Sequence, residues 1–361
     1  MKVLSLFDGM ACGYLAMQAA GIEVESYDAF EIDETAIKTA KHNFPDIREH
    51  GDVFKADFTK FKGVDILCGG SPCTYWSIAA AGQGQRETTA SGLGWDLFSQ
   101  YVRALRQAQP RYFVYENNAS MSKQIRAEIT KTFGFEPIEI DSALVSAQSR
   151  KRLYWVGIRD GGKYRRVNIS QPKERGVIVQ DILDSGISAT KKGYAVTHLE
   201  GNGRDWFKKH HTNIAFRIVK IGVYPMQDGE ESKSKPYRIY STDNKGVTIC
   251  GCGGGLGAKT GLYAIKGKTF EVKDGYIFIG GRYYPIKLPD GHYEIRPLTV
   301  TETKRMQTVP DWYEFPCSKT QAYKMLGNGW TVEVIAHLLS EMLAGKESEQ
   351  LTFEEVLKWK K

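Results

Sequence analysis

VDILCGGSPCTYWS, residues 64–77, runs an apolar strand-like stretch into two glycines and then sets a proline against a thiol at Pro72-Cys73. A short apolar run bounded by glycine reads as a buried strand, and in an α/β sheet the loop leaving such a strand is where reactive side chains stand. Cys73 alone has three readings: a small core hydrophobe, a metal ligand or a nucleophile. Its company decides between them.

Outward from this stretch, residues 1–158 alternate apolar runs with helical patterns. VLSLF (3–7), EVESYDAF (23–30), RYFVYEN (111–117) and RLYWVGI (152–158) read as strands. GYLAMQAAG (13–21), ETAIKTAKHNF (34–44), LFSQYVRALRQAQ (97–109) and KQIRAEITKTF (123–133) read as helices. Strands alternating with helices of about 10–15 residues predict an α/β fold with a doubly wound, mostly parallel sheet. The tail, TVTETKRMQTV (299–309) and QAYKMLGNGWTVEVIAHLLSEMLAG (321–345), is helical again. Between them lies a segment rich in glycine and short β-prone runs, such as GYIFIGGRYYPI (275–286). The expected organisation is a catalytic domain over 1–158, a smaller irregular β-rich lobe over 159–295, and C-terminal helices over 296–361 that return to the first domain.

The chain has 361 residues, enough for two domains with cores of their own. Apolar content of 42% and charged content of 25% are those of an ordinary globular protein. No apolar run approaches the roughly 18 residues of a membrane span, so no membrane partner is expected. MKVLSLFDGMACG reads as a first core strand and turn rather than a signal peptide. Six cysteines, at 12, 68, 73, 250, 252 and 317, form no CxxC pair, which fits a reducing cytoplasm. His210-His211, the one adjacent histidine pair, lacks the spacing of a zinc site, and no metal is expected.

The net charge is +7, and residues 159–240 hold 16 Lys and Arg against 9 Asp and Glu, so the whole excess sits in the middle segment. Tyr164, Tyr194, Trp206, Phe207, Phe216, Tyr224 and Tyr237 are interleaved with these cations. Basic side chains mixed with aromatics favour a polyanion partner over a merely solvated surface.

Phe7-Asp8-Gly9-Met10-Ala11-Cys12-Gly13 follows the first strand, where glycines let the backbone approach a nucleotide. Glu31 follows the second strand and can accept both hydroxyls of a ribose; Asp52 can accept from an adenine amine. Each acid alone reads equally well as a helix cap. Together they describe an adenosine pocket with no phosphate cradle and no dinucleotide fingerprint, which points away from NAD.

Through these residues the chain resembles the DNA (cytosine-5) methyltransferases over nearly its whole length, with the family's blocks in order. The Phe-x-Gly block is similar to Phe7–Gly13, the ribose acid to Glu31, the adenine contact to Asp52-Val53 and the nucleophile block to Pro72-Cys73. The Glu-Asn block is similar to Glu116-Asn117, the Gln-x-Arg-x-Arg block to residues 148–152, and the Gly-Asn block to Gly327-Asn328. The resemblance implies a class I S-adenosyl-L-methionine-dependent fold and a cofactor site of Phe7, Gly9, Gly13, Glu31, Ile32, Asp52, Val53, Pro72, Leu97 and Asn328. It also implies catalysis by Cys73, Glu116, Arg150 and Arg152.

The chemistry explains those residue types. Cytosine C5 is a poor nucleophile until a thiolate adds at C6, the role implied for Cys73. Glu116 would then serve N3 and the exocyclic amine, and Arg152 the O2 atom. An ordinary thiol, with pKa about 8.5, needs help to ionise at neutral pH, and Arg150 or Arg152 is expected to lower it. A base inside a duplex must swing out to be reached, and the small, glycine-rich stretch 78–95 is expected to close over it as a flap.

The segment 237–263 resembles the recognition lobe of the family's small bacterial members. That likeness places Thr248 on a phosphate, Arg238 on a guanine edge and Lys235 near the vacated gap, with Ser77 and Gln148 as further DNA contacts. A plain structural loop over 251–257 is the competing reading. Thr74-Tyr75-Trp76, Asn118 and Gly329 depart from the family pattern and bear on the shape of the pocket rather than on the nucleophile.

The expected partner is double-stranded DNA, acted on by a monomer in the cytoplasm at the nucleoid, with a cognate restriction endonuclease or a phage setting as context. Two other classes remain open to assay. One is a transfer-RNA methyltransferase on the same scaffold. The other is a catalytically silent DNA-binding homologue, which would form no covalent adduct.

Overall fold

A computed structural model describes residues 1–77, 86–184, 218–225, 235–251 and 256–348. The described chain forms two compact units. The first takes in Met1–Ile140, Lys151–Pro172 and the chain from Val332; the second takes in Asp141–Arg150 and Lys173–Thr331.

The first unit is built on β1 (Lys2–Leu6), α1 (Cys12–Ala19), β2 (Ser26–Phe30), α2 (Glu34–Asn43), β3 (Arg48–Glu49), β4 (Ile66–Gly69), α3 (Leu93–Ala108), β5 (Tyr112–Asn118), α4 (Lys123–Phe133), β6 (Ile138–Asp141), β7 (Lys151–Asp160) and β8 (Lys163–Arg166). The sheet order is β3-β2-β1-β4-β5-β7-β6, with β8 alongside β7. Strands β1 to β5 run parallel, whereas β7 runs antiparallel to β5. The predicted mixed, mostly parallel sheet is therefore present. Every residue of β5 is buried, as a central strand covered on both faces requires.

Local chemistry sets the helix ends. The Asp33 carboxylate caps α2 by accepting from the amides of Thr35 and Ala36, and the Ser122 hydroxyl caps α4 by accepting from Ile125. Gly134 closes α4 at φ 84°, a conformation that favours glycine. The core beside β4 and β5 is strongly aromatic, with Trp76, Phe98, Tyr101, Phe113, Tyr115, Phe133 and Trp155. Helix α3 begins at Leu93, so the last three residues of the expected flap belong to its first turn. Residues 78–85 of that flap lie outside the described residues.

The second unit contains the short α5 (Val179–Ile182), β9 (Lys220–Val223), β10 (Arg238–Tyr240), β11 (Leu262–Lys273), β12 (Tyr276–Ile279), β13 (Arg282–Pro285), β14 (Gly291–Arg296), α6 (Val300–Met306) and α7 (Lys319–Asn328). Its sheet runs β13-β12-β11-β10-β9, with β14 on β11. The β12–β13 hairpin turns on Gly280-Gly281, both at positive φ. Ile239, Leu262, Ile277, Tyr284, Ile286 and Ile295 are part of its core. Capping boxes, Thr299 with Glu302 and Ser318 with Gln321, start α6 and α7. These two helices group with the second unit, while the last helix, α8 (Val332–Ser348), groups with the first and packs on α1. No described helix is long and apolar enough to cross a membrane. Tyr194, Trp206, Phe207 and Phe216 of the basic, aromatic stretch lie outside the described residues.

Candidate active site

The strand register puts four loop starts side by side. Leu6 of β1 pairs with Phe30 of β2 and with Gly69 of β4, and Gly69 pairs with Tyr115 of β5. Past these positions stand Phe7–Gly13, Glu31, the Cys73 loop and Glu116, at the carboxyl ends where ligands of parallel sheets bind.

Cys68 and Cys73 show two fates of a thiol. Cys68 is buried within β4, and burial pushes its thiol up to about 12, so it stays a neutral core group. Cys73 lies beyond the strand at the start of a short 3-10 turn, Cys73–Tyr75, is partly accessible and takes part in no disulfide. Its carbonyl accepts from the amides of Trp76 and Ser77. Trp76 is fully buried, and its indole donates to Glu87 Oε2 at 3.1 Å, while Glu87 Oε1 accepts from the Gly94 amide at 3.3 Å. Arg86 donates to the Ser120 carbonyl, and Ser122 Oγ donates to the Thr88 carbonyl. Residues 86–88 thus tie the Cys73 turn to the loop after β5.

Glu116 is nearly buried on β5, and Arg152 Nε on β7 stands 3.0 Å from its Oε1. Asn118 is directly opposite Arg152 in the β5–β7 ladder, so Glu116 and Arg152 are diagonal neighbours on one face. A carboxylate held by a guanidinium has a fixed plane, which suits it to a flat polar ring.

The loop after β1 is unusual backbone: Phe7, Gly9 and Ala11 have φ of 58°, 60° and 60°. Asp8, between the first two, is buried, and its Oδ1 accepts from Ser5 Oγ and Tyr27 Oη, both at 2.6 Å. Burial raises its carboxyl to about 6, with Glu31 pushing the same way. Glu31 accepts from Ile32 and Asp33 through Oε1 and from the Gly9 amide through Oε2 at 2.9 Å. Glu49 at the end of β3 is raised to about 7, first by burial and then by Asp8 and Glu31. Asp52 caps the turn Val53–Lys55 by accepting from Phe54, which leaves capacity on its carboxylate. Val53 is buried, and Ile32 is 74% exposed.

This surface fits a cationic adenosyl compound. Asp8 Oδ2 and both Glu49 oxygens are buried with no hydrogen-bond partner, which suits a positive ligand. A Cβ at Gly9 would meet nothing within 4 Å, so the turn faces open space. Ile32 offers an uncovered apolar side chain for a base. Asp8, Tyr27 and Glu49 were not singled out from sequence, although an acid inside the apolar run SLFDGMA was the available signal. Pro72 is exposed beside Cys73, Gly13 is buried in α1, and Leu97 of α3 packs on the aromatic core.

The Gln-x-Arg-x-Arg block is divided between the units. Lys151 and Arg152 begin β7, whereas Gln148 and Arg150 are buried in the second unit. Gln148 Nε2 donates to the Met306 carbonyl and to Gln307 Oε1, and its Oε1 accepts from the Ile249 amide. An amide this buried acts here as an internal brace, not as the surface DNA contact expected from sequence. Arg150 donates to the carbonyls of Ile249, Gly327 and Gly329. Its charge is thus applied to backbone distant in the chain. Thr248 Oγ1 donates to the Ser149 carbonyl at 2.6 Å. Asn328 ends α7, where Gly327 packs against Cys250 and Gly251. Arg238 is exposed at the start of β10; Lys235 opens the turn Lys235–Tyr237, and its side chain lies outside the described residues.

Comparison with known proteins adds the following. The sequence model of the family described as C-5 cytosine-specific DNA methylase matches residues 1–344. The orphan methyltransferase M.Rho11sI of Bacillus phage rho11s is 34% identical over 172 residues, 44% of this chain and 33% of that protein. The chain thus spans about a third of that relative's length. The type II methyltransferase M.HhaI of Haemophilus parahaemolyticus is 24% identical over 352 residues, 94% of this chain and 93% of that one. Among solved structures, the Entamoeba histolytica methyltransferase EhMeth shares the fold, with a TM-score of 0.61 at 14% identity over 95% of this chain and 98% of that one.

Proposed function

Because the chain belongs to the C-5 cytosine-specific DNA methylase family, we propose that it is a DNA (cytosine-5) methyltransferase acting on a flipped-out cytosine in a specific duplex sequence. The observation that carries this reading is the juxtaposition at adjacent strand ends of an accessible thiol, Cys73, with the buried Glu116–Arg152 pair.

S-adenosyl-L-methionine supplies an electrophilic methyl group when bound. Glu31 would hold its ribose, Asp52 its adenine amine, and Phe7, Gly9, Gly13, Ile32, Val53, Pro72, Leu97 and Asn328 would complete the site. Asp8 and Glu49 would add negative charge near its cationic end.

Cys73, as the thiolate, attacks cytosine C6; the S–C6 bond forms as the C5–C6 π electrons move toward C5 and the ring. Glu116 shares a proton with N3 and so offsets the charge that develops there, and Arg152 holds Glu116 while facing O2. Once C5 carries its new methyl group, loss of the C5 proton restores the double bond and expels Cys73 as thiolate. Arg150, which the resemblance makes catalytic, would act by bracing the backbone at Ile249, Gly327 and Gly329. Ser77, just past the Cys73 turn, would contact the DNA. Arg238, Thr248, Lys235 and the basic lobe engage the duplex, whose backbone attraction is electrostatic. The enzyme acts as a monomer, since one flipped base needs one site, in a restriction-modification or phage setting.

Duplex DNA carrying 5-fluorocytosine, whose C5 fluorine cannot leave as a proton does, tests the reading. With S-adenosyl-L-methionine the wild-type chain should give an adduct stable to denaturation, and Cys73→Ser should give none. An adduct on transfer RNA alone, or one that survives Cys73→Ser, would overturn it.

A further inference from the structure

We propose that the Tyr115 hydroxyl is a positioning group for the nucleophile loop: with Ser71 and Asn117 it closes a hydrogen-bonded triangle that fixes where Pro72-Cys73 stands beside Glu116. The proposal rests on Cys73 being the nucleophile.

Proline donates no backbone hydrogen bond, so a loop that ends in Pro72 before its reactive residue has one anchor fewer at the point where placement matters. Side chains of β5 supply anchors instead. Tyr115 Oη and Ser71 Oγ are 2.7 Å apart. Asn117 Nδ2 reaches Ser71 O at 3.1 Å, Tyr115 Oη at 3.2 Å and Ser71 Oγ at 3.4 Å. Asn117 Oδ1 in turn accepts from the Asn118 amide at 2.9 Å and from Asn118 Nδ2 at 3.1 Å, which fixes the orientation of the amide. All three corners are buried, with Ser71 at 2% exposure and Tyr115 and Asn117 at 0%.

The triangle has a rigid base. The Tyr115 ring lies among Phe98, Tyr101, Phe133 and Trp155, with centroid distances of 4.8–5.8 Å. Burial pushes the phenol well above its ordinary range, so it remains a neutral hydroxyl. Successive residues of a strand point to opposite faces, so Tyr115 and Asn117 grip the Cys73 loop from one side of β5 while Glu116 projects from the other. One strand therefore carries both the acid and the brace for the thiol, and their spacing is set by its pleat. Phenylalanine at 115 would keep the ring packing and leave Ser71 Oγ with only the longer Asn117 contact.

Tyr115→Phe, Ser71→Ala and the double variant test this. Steady-state methylation should show kcat lowered about tenfold or more in each single variant, with KM for DNA and cofactor within about twofold of wild type, and a double variant no slower than the slower single one. Amide exchange of the peptide spanning 70–77, measured without DNA or cofactor, should quicken in both single variants while peptides of the second unit do not change. Full kcat in Tyr115→Phe, multiplying effects in the double variant, or unchanged exchange at 70–77 would overturn the proposal. Wild-type protein that transfers no methyl group, with exchange at 70–77 quickened as expected, would instead overturn the reading of Cys73.

Discussion

Asp8 carries the most pH-sensitive statement that a single residue of this chain allows. Its carboxyl is raised from 3.8 to about 6 by burial, opposed by hydrogen bonds from Ser5 and Tyr27 and assisted by Glu31; Glu49, itself raised, is nearby. A carboxyl whose pKa is higher in the folded chain binds protons more strongly there. Its contribution to stability is therefore fully present below about pH 4 and is lost as pH rises through about 6. The loss is on the order of 3 kcal/mol. Asp8→Asn should flatten this slope: denaturant titrations at pH 4.5 and 8 should differ less in the variant than in wild type, and equal differences would show that Asp8 ionises freely. At this scale the residues alone left the site open, since Cys73 has three readings and Glu31 reads equally well as a cap; Glu116 was singled out only by the family resemblance. Gln148 and Arg150 were less so, since Arg150 finds its carbonyl partners 99 to 179 residues away. No local pattern reports such partners.

Elements were legible where period and caps agree. The α2 and α4 patterns end where Asp33, Ser122 and Gly134 say they should. The start of α3 was not: Gly92, at φ 87°, sits against the Glu87 carboxylate, and that contact, not periodicity, marks where the helix begins. The direction of β7 was also hidden, because parallel and antiparallel central strands are equally apolar in sequence. The junction of α7 with the 250–251 loop gives an element-scale prediction. A Cβ on Gly327 would fall on the backbone of Cys250 and Gly251, which cannot yield as a flexible side chain would. Gly327→Ala should cost about 1–3 kcal/mol through overpacking. It should appear as a lower unfolding midpoint with near-normal helix content; an unchanged midpoint would mean that the two segments have room to separate.

Across the whole molecule, the net charge of +7 and its concentration between residues 159 and 240 argue for a polyanion, which the proposed function takes to be duplex DNA. Charge alone gives affinity without sequence choice, so base reading must come from individual side chains. Exposed Arg238 is the first to examine. If it meets a guanine edge, Arg238→Ala should relax discrimination at one base pair by about 1–3 kcal/mol and leave the others intact. A uniform loss across all sequences, with a shallower salt dependence, would make it a phosphate contact. The division into two units was visible in composition, but its crossing points at 140/141, 150/151, 172/173 and 331/332 were not. The 150/151 crossing cuts through the Gln-x-Arg-x-Arg block, which sequence reads as continuous.

The central claim is that the chain methylates cytosine in DNA with Cys73 as the nucleophile that adds to C6, and base-resolution mapping of 5-methylcytosine tests it most directly. The chain and its Cys73→Ala variant would each be expressed in a bacterium that lacks cytosine methylation. The account predicts methylated cytosines in one short motif with the active chain and none with the variant. Unmethylated DNA from cells containing soluble, cofactor-binding wild-type protein would contradict it.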